Sequence, residues 1–300
     1  MSEYHNPVLL KESVDALVTK TDGVYADATF GGGGHSREIL SRLSPEGRLI
    51  SFDRDEDALG NAIDDERFTL IHNNFRFIHN YAVLETENGF DGILADLGVS
   101  SHQFDTAGRG FSFRYSSALD MRMNVQGSTT AADIVNSYTQ EELENILRIY
   151  GEVDNARKVA QLICSARAKA AILTTDDLDN AIAAALPSFA GHKFLAKVYQ
   201  ALRIEVNQEM RSLEKFLTGA ARSLKPGGRL AVITYHSLED RMVKNFIKAG
   251  NVSGHIEKDI YGRASTPLEQ LNRKPVVPEE DEISGNTRAR SAKLRVAVKI

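Results

Sequence analysis

Apolar and polar positions repeat in a fixed order along the first third of the chain: a short apolar run, a turn, then apolar residues at helical spacing. The strand-like runs fall at 24–28, 48–52, 68–72 and 91–97. Between the first two, Ile39, Leu40 and Leu43 line one face of a helix that Pro45 and Gly47 end. Strands alternating with helices predict a parallel sheet covered on both faces. From about 108 the pattern turns helical, over 140–149, 153–170, 176–186 and 196–224, until Pro226-Gly227-Gly228 stops it and a strand resumes at 229–235. A further helix is expected at 238–248. At the end, Ala292, Leu294, Val296, Val298 and Ile300 alternate with Lys293, Arg295, Ala297 and Lys299, which predicts an edge strand. The polar stretch before it, with Pro267, Pro275, Pro278 and the acidic run 279–282, reads as a long loop. The expected architecture is α/β and Rossmann-like, with a discontinuous domain over 1–107 and 207–300 and an inserted helical domain over 108–206.

The first strand runs into Gly31-Gly32-Gly33-Gly34-His35-Ser36 and then a helix. Glycines let the backbone approach a ligand, and the helix start offers unpaired N–H groups. Asp53, at the tip of the second strand, stands where such a fold places an acid on ribose hydroxyls, about 20 residues beyond the glycines. Neither glycine frame matches G-x-G-x-x-G, because Gly31 and Gly33 lead to Ser36 and Gly32 and Gly34 lead to Arg37. Asp27, just before the turn, disfavours a pyrophosphate and welcomes an ammonium group. S-adenosylmethionine carries an ammonium and no phosphate. Gly33, Gly34, His35, Asp53 and Asp96 are expected to converge beyond the carboxyl ends of the strands.

Several separate stretches carry a family resemblance. They are His5-Asn6-Pro7-Val8-Leu9-Leu10 with Glu12, Asp27 to Ser36, and Asp91 to Ser101 with Gln103. Further on come Arg109-Gly110-Phe111-Ser112-Phe113, Leu119-Asp120-Met121-Arg122-Met123, and Tyr150-Gly151-Glu152. The last are Gln200-Ala201-Leu202-Arg203-Ile204 with Asn207 and Glu209, and His236-Ser237-Leu238-Glu239-Asp240-Arg241. Together they span nearly the whole chain, which resembles the MraW family of bacterial small-subunit ribosomal RNA methyltransferases. The resemblance implies a class I methyltransferase fold. It also implies methyl transfer from S-adenosylmethionine to the exocyclic N4 of a cytidine in the decoding region of 16S ribosomal RNA.

Composition changes this picture little. The net charge of −5 counts against indiscriminate polyanion binding, but acid is concentrated in 1–107 and base in 225–300. That distribution fits local positioning of RNA on the small ribosomal subunit, with no DNA or membrane partner expected. A basic leader followed by an apolar run is lacking, so a cytoplasmic enzyme is expected. Cys164 is the one cysteine and is expected to be a small buried hydrophobe. No metal site is expected, because the eight histidines show no paired ligand spacing.

The resemblance adds Phe75, placed to cover adenine, and Gln103, a hydrogen-bonding partner for the cofactor. For the proton that N4 must lose, the candidate acceptors are Asp120 and His236, with Asp96 third. Reaching N4 requires an unpaired or flipped cytosine, so Tyr235, Phe111 and Phe113 are candidate stacking partners. Arg122, Arg203 and Arg241 could hold phosphate or pair with the neighbouring acids Asp120, Glu205 and Glu239. The chain departs from the family where Ala118 replaces a proline, where Tyr235 replaces a phenylalanine, and where a His-Pro-Ala-Thr stretch is missing before Gln200. His192 is given no role. Two other classes remain open at this point: a nicotinamide-dependent oxidoreductase and a non-catalytic ribosome-assembly factor.

Overall fold

The computed structural model describes residues 7–256 and 266–300; His5 and Asn6 of the first motif, and part of the polar stretch before the last strand, lie outside them. The described chain divides into two compact units, one formed by residues up to Gly98 together with Met210–Ile300, the other by Val99–Glu209.

The first unit is built on a seven-stranded sheet of order β3-β2-β1-β4-β5-β7-β6. The strands are β1 (Val24–Asp27), β2 (Arg48–Asp53), β3 (Phe68–His72), β4 (Phe90–Asp96), β5 (Leu224–Thr234), β6 (Leu268–Gln270) and β7 (Lys293–Lys299). The first five run parallel, and β7 is antiparallel to both β5 and β6. Alternate residues feed opposite faces: Tyr25, Leu49, Leu94 and Ala231 pack with Leu17 and Ile39, while Ala26, Ile50, Ile93 and Val232 pack with Phe216 and Phe246. Burial on both faces explains why these strands read as continuous apolar runs. The chain winds outward from β1 to β3 and then returns to β1's other side as β4. The crevice beyond β1 and β4 is therefore the topological switch point, where open α/β sheets receive ligands.

Three expectations need correction. The last strand is not an edge: β7 lies between β5 and β6, and Arg295 is buried with its Nε donating to Asp240 at 2.7 Å. The stretch read as a long loop contributes β6, which covers that edge, and a short helix, Glu280–Gly285. The helix expected over 196–224 is two helices, Gly191–Asn207 and Glu209–Ser223, broken at Gln208, whose φ of 49° is left-handed.

The second unit is helical, with Leu143, Leu147, Val159, Ile163, Leu178, Ile182, Val198 and Leu202 in its core. Among the described residues four of its helices open with capping boxes, Ser100 with Gln103, Thr130 with Asp133, Thr139 with Glu142 and Thr174 with Asp177. Each box satisfies N–H groups that the first helical turn leaves open.

Candidate functional site

The glycine turn is fixed from below by carboxylates. Asp27, buried at the end of β1, accepts the Ser36 hydroxyl at 2.6 Å and the Thr29 N–H at 3.1 Å. Asp53 accepts the Gly31 N–H at 2.7 Å through one oxygen and the Asp55 N–H at 2.9 Å through the other. Gly31 has a φ of 51°, and a Cβ placed there would meet no atom within 4 Å, so the turn presents bare backbone to open space. Gly34 is closed instead: a Cβ there would lie 2.1 Å from Pro7 Cγ. The segment Pro7–Leu9 is thus seated on the start of the helix Gly34–Ser41, and Glu282 from the short helix near the chain's end accepts the Leu9 N–H at 2.7 Å.

Across the switch point, Asp96 ends β4. Its own N–H donates to Thr29 Oγ1 at 2.6 Å, and its Oδ1 accepts the Tyr235 hydroxyl at 2.7 Å. Its Oδ2 lies 3.9 Å from Nδ1 of His35, which is buried and whose Nε2 is 3.2 Å from the Val8 carbonyl. Burial pushes the Asp96 carboxyl up to about 6, with Asp27 and Glu239 adding to the rise and His35 and Tyr235 opposing it. Burial likewise raises Asp53, against the hydrogen bonds from Asp55 and Gly31. The Tyr235 phenol is raised for the same reason, reinforced by Asp96.

Tyr235 and His236 connect β5 to the helix Ser237–Ala249. The N–H groups of both residues donate to Glu239 Oε2, at 2.9 and 3.3 Å. His236 caps this helix: its Nδ1 accepts the Glu239 N–H at 3.4 Å, and its Nε2 lies 3.1 Å from Glu239 Oε1. Both ring nitrogens therefore face Glu239. Arg241 is exposed on the same helix. Phe75, in the turn after β3, packs edge-on against Phe216 with ring centroids 5.2 Å apart.

Gln103, Asp120, Arg122 and Arg203 belong to the second unit. Gln103 closes a capping box with Ser100, its Oε1 accepting the Ser100 N–H at 3.1 Å. Asp120 forms a two-point ion pair with Arg122, at 2.8 and 2.6 Å, which holds its carboxyl below the usual range despite partial burial. Arg203 binds Glu209 at 2.9 and 3.0 Å. Asn207 bridges the 119–123 motif: its Oδ1 accepts the Met123 N–H at 2.8 Å, and its Nδ2 donates to the Met121 carbonyl at 2.7 Å. Met121 is buried with a left-handed φ of 61°, a conformation these two bonds hold in place.

The MraW methylase family model matches residues 2–300. The chain belongs to the MraW methylase family. A relative from Bacteroides fragilis (strain YCH46), named ribosomal RNA small subunit methyltransferase H, is 55% identical over 296 residues, which is 99% of this chain and 97% of its own. A relative of the same name from Flavobacterium johnsoniae is 54% identical over 298 residues, covering 99% of this chain and 98% of its own. A solved rRNA methylase structure from Streptococcus thermophilus aligns with 97% of this chain and 93% of its own at 12% identity, with a TM-score of 0.40. No helix among the described residues is long and apolar enough to cross a membrane.

For this family member, sequence reasoning had singled out Asp96 and Tyr235 separately but not the hydrogen bond between them. It also missed Glu282, which sits in the acidic run before the last strand.

Proposed function

We propose that this protein transfers a methyl group from S-adenosylmethionine to the exocyclic N4 of a cytidine in 16S ribosomal RNA of the small subunit. The observation that carries the reading is Asp53 on the Gly31 N–H: a carboxylate takes the amide that a dinucleotide fold would offer to pyrophosphate. A turn backed by Asp27 and Asp53 disfavours phosphate and suits a ligand that is cationic and bears ribose hydroxyls. The residues fit S-adenosylmethionine. Asp53 retains acceptor capacity on both oxygens for ribose, and the bare backbone at Gly31 leaves room against the turn. Gly33, Gly34, His35, Phe75, Asp96 and Gln103 complete the proposed cofactor set. When bound, the cofactor supplies an electrophilic methyl group: the N4 lone pair forms the new C–N bond, the S–C pair stays on sulfur, and N4 must then shed one proton.

The chain's own part is to hold the partners and take that proton. Holding two reactants at near-attack geometry can remove roughly 7 to 11 kcal/mol of barrier. Asp96 is the best-placed acceptor, because its pKa of about 6 lies nearer neutrality than that of an ordinary aspartate and the Tyr235 hydroxyl orients it. Asp120 would first have to leave Arg122, and His236 would have to give up its helix cap. Tyr235 is proposed to border the extruded base, with Arg122, Arg203 and Arg241 serving the RNA backbone. The helical second unit is proposed to recognise the small subunit.

Family membership and the turn's chemistry support neither the oxidoreductase nor the non-catalytic alternative. Incubation with methyl-labelled S-adenosylmethionine and purified small subunits lacking the modification tests the proposal. Label should enter the RNA. Unlabelled RNA, or tight binding of NAD in place of S-adenosylmethionine, counts against it.

A further inference from the structure

An aromatic ring left in water is unfavourable, and the helical second unit holds two of them out on its surface. Phe189 is fully exposed in the turn between the single-turn helix Ala183–Ala185 and the helix Gly191–Asn207, and Tyr115 is more than half exposed. The backbone around Tyr115 is tied down. The Thr175 hydroxyl donates to the Tyr115 carbonyl at 2.9 Å, the Thr175 N–H donates to the Ser117 carbonyl at 2.9 Å, and the Arg114 N–H donates to Ser112 Oγ at 3.2 Å. One ring contact joins the two stretches. Phe113, which the sequence offered as a stacking partner for the base, packs its ring against Tyr199 with centroids 5.4 Å apart and against His192 at 5.9 Å. His192 and Lys193 therefore lie beside Arg114 and Tyr115, and all four are exposed.

Charge indicates what these rings face. Residues 106–119 and 180–204 hold five Lys and Arg and no acid, in a chain whose net charge is −5. Three of the five are engaged: Arg109 donates to the Arg122 and Met123 carbonyls, Lys197 donates to the Glu152 carbonyl, and Arg203 pairs with Glu209. Arg114 and Lys193 have no acid partner among the described residues. On the adjoining helix Thr175–Ile182, Asp177 is occupied by the cap and Asp179 accepts the Tyr199 hydroxyl at 3.1 Å. An apolar protein surface would answer the exposed rings but not the missing acids; a polyanion with flat bases answers both. We propose that Tyr115, Phe189 and His192, with Arg114 and Lys193, bind a single-stranded segment of the substrate 16S RNA. The rings stack on its bases and the two cations pair with its phosphates. The proposal rests on the methyltransferase reading above, and it gives the second unit a specific means of holding RNA whose target cytosine must be unpaired.

Four variants test this on small subunits lacking the modification, with dissociation constants read by filter binding: Tyr115→Ala, Phe189→Ala, Phe189→Leu, and the double change Arg114→Gln with Lys193→Gln. Each ring-to-alanine change should weaken subunit binding about tenfold, within the range for one stacked base. Phe189→Leu keeps an apolar side chain but no ring face, and should weaken binding nearly as much. The double glutamine variant should flatten the slope of log affinity against log salt by about 1.4, since each cation paired to a single-strand phosphate contributes about 0.7. Melting temperature and S-adenosylmethionine affinity should stay at wild-type values. Alanine variants that bind subunits within about twofold of wild type, or an unchanged salt slope, overturn the surface and leave the proposed function standing. Wild-type binding by Phe189→Leu means that the side chain meets an apolar protein surface, and overturns RNA stacking too. If an alanine variant melts early, Phe189→Leu and the salt slope decide. Wild-type protein that binds subunits but transfers no label to their RNA overturns the function itself, and with it the assignment of this surface to substrate RNA.

Discussion

Asp96→Asn should make the protein more stable and nearly inactive. The carboxyl is raised from an ordinary 3.8 to about 6 in the folded protein, chiefly by burial. That is roughly two pH units, and at about 1.4 kcal/mol each the ionised group costs the fold up to about 3 kcal/mol. Because the folded pKa lies above the unfolded one, the native state binds the proton more tightly between pH 4 and 6. Its stability therefore declines as pH rises through that window and stays reduced above it. Asparagine carries no charge at any pH, and its carbonyl oxygen can still accept the Tyr235 hydroxyl. The variant should match wild type near pH 4 and exceed it by about 1 to 3 kcal/mol at pH 8, read from urea unfolding at both values. Single-turnover methylation should fall at least about a hundredfold while S-adenosylmethionine still binds. Equal stability at pH 8, or a deficit that grows with pH, would refute the assignment of Asp96 as a strained carboxylate. Full activity would refute its role as proton acceptor.

Other perturbations read out neighbouring contacts. Tyr235→Phe keeps the ring but removes a donor that favours the Asp96 carboxylate, so the acidic limb of the pH–rate profile should move upward; a downward shift or none contradicts the hydrogen bond. Asn207→Ala strands the Met123 N–H and the Met121 carbonyl, which should cost about 2 to 4 kcal/mol in unfolding measurements, whereas a loss under about 1 kcal/mol would mean that the left-handed Met121 turn holds itself. Glu282→Ala should cost about 1 to 2 kcal/mol and speed hydrogen exchange at the Leu9 amide; unchanged exchange there would argue against the anchor. Asp53→Ala should weaken S-adenosylmethionine binding at least tenfold by calorimetry, and unchanged affinity in a folded variant would remove Asp53 from the site.

Strands β2 and β4 of the first unit were legible because they are buried on both faces and therefore read as largely apolar runs, whereas β3, only partly buried, showed as a shorter run of Phe68, Leu70 and Ile71. The break at Gln208 was not legible, since apolar spacing continues across it and a single left-handed residue other than glycine leaves no local mark. Strand β6 was hidden because only Leu268 of its three residues is apolar, and its existence depends on pairing with β7. The same pairing turned an apparent edge strand into an interior one. At the site, the glycine turn and the strand-end carboxylates Asp27, Asp53 and Asp96 could be placed from local pattern. The contacts that give them their chemistry could not, because Tyr235 meets Asp96 across 139 positions and Glu282 meets Leu9 across 273. In the sequence Asp120 and His236 stand as candidate proton acceptors, with a cap or an ion pair as the other use for each. Their partners, Arg122 and Glu239, lie only two and three residues away, but which pairing each would adopt depended on turn and cap geometry.

The most direct measurement is the identity of the methylated nucleoside. Small subunits from cells lacking this protein are treated with it and S-adenosylmethionine, and the 16S RNA is digested and separated by mass and retention time. N4-methylcytidine, formed in stoichiometric amount at one decoding-region position and abolished by Asp96→Asn, is the expected product. A methyl group on carbon 5 of the cytosine, on the ribose, or on another base would contradict a site built to take a proton from an exocyclic amine.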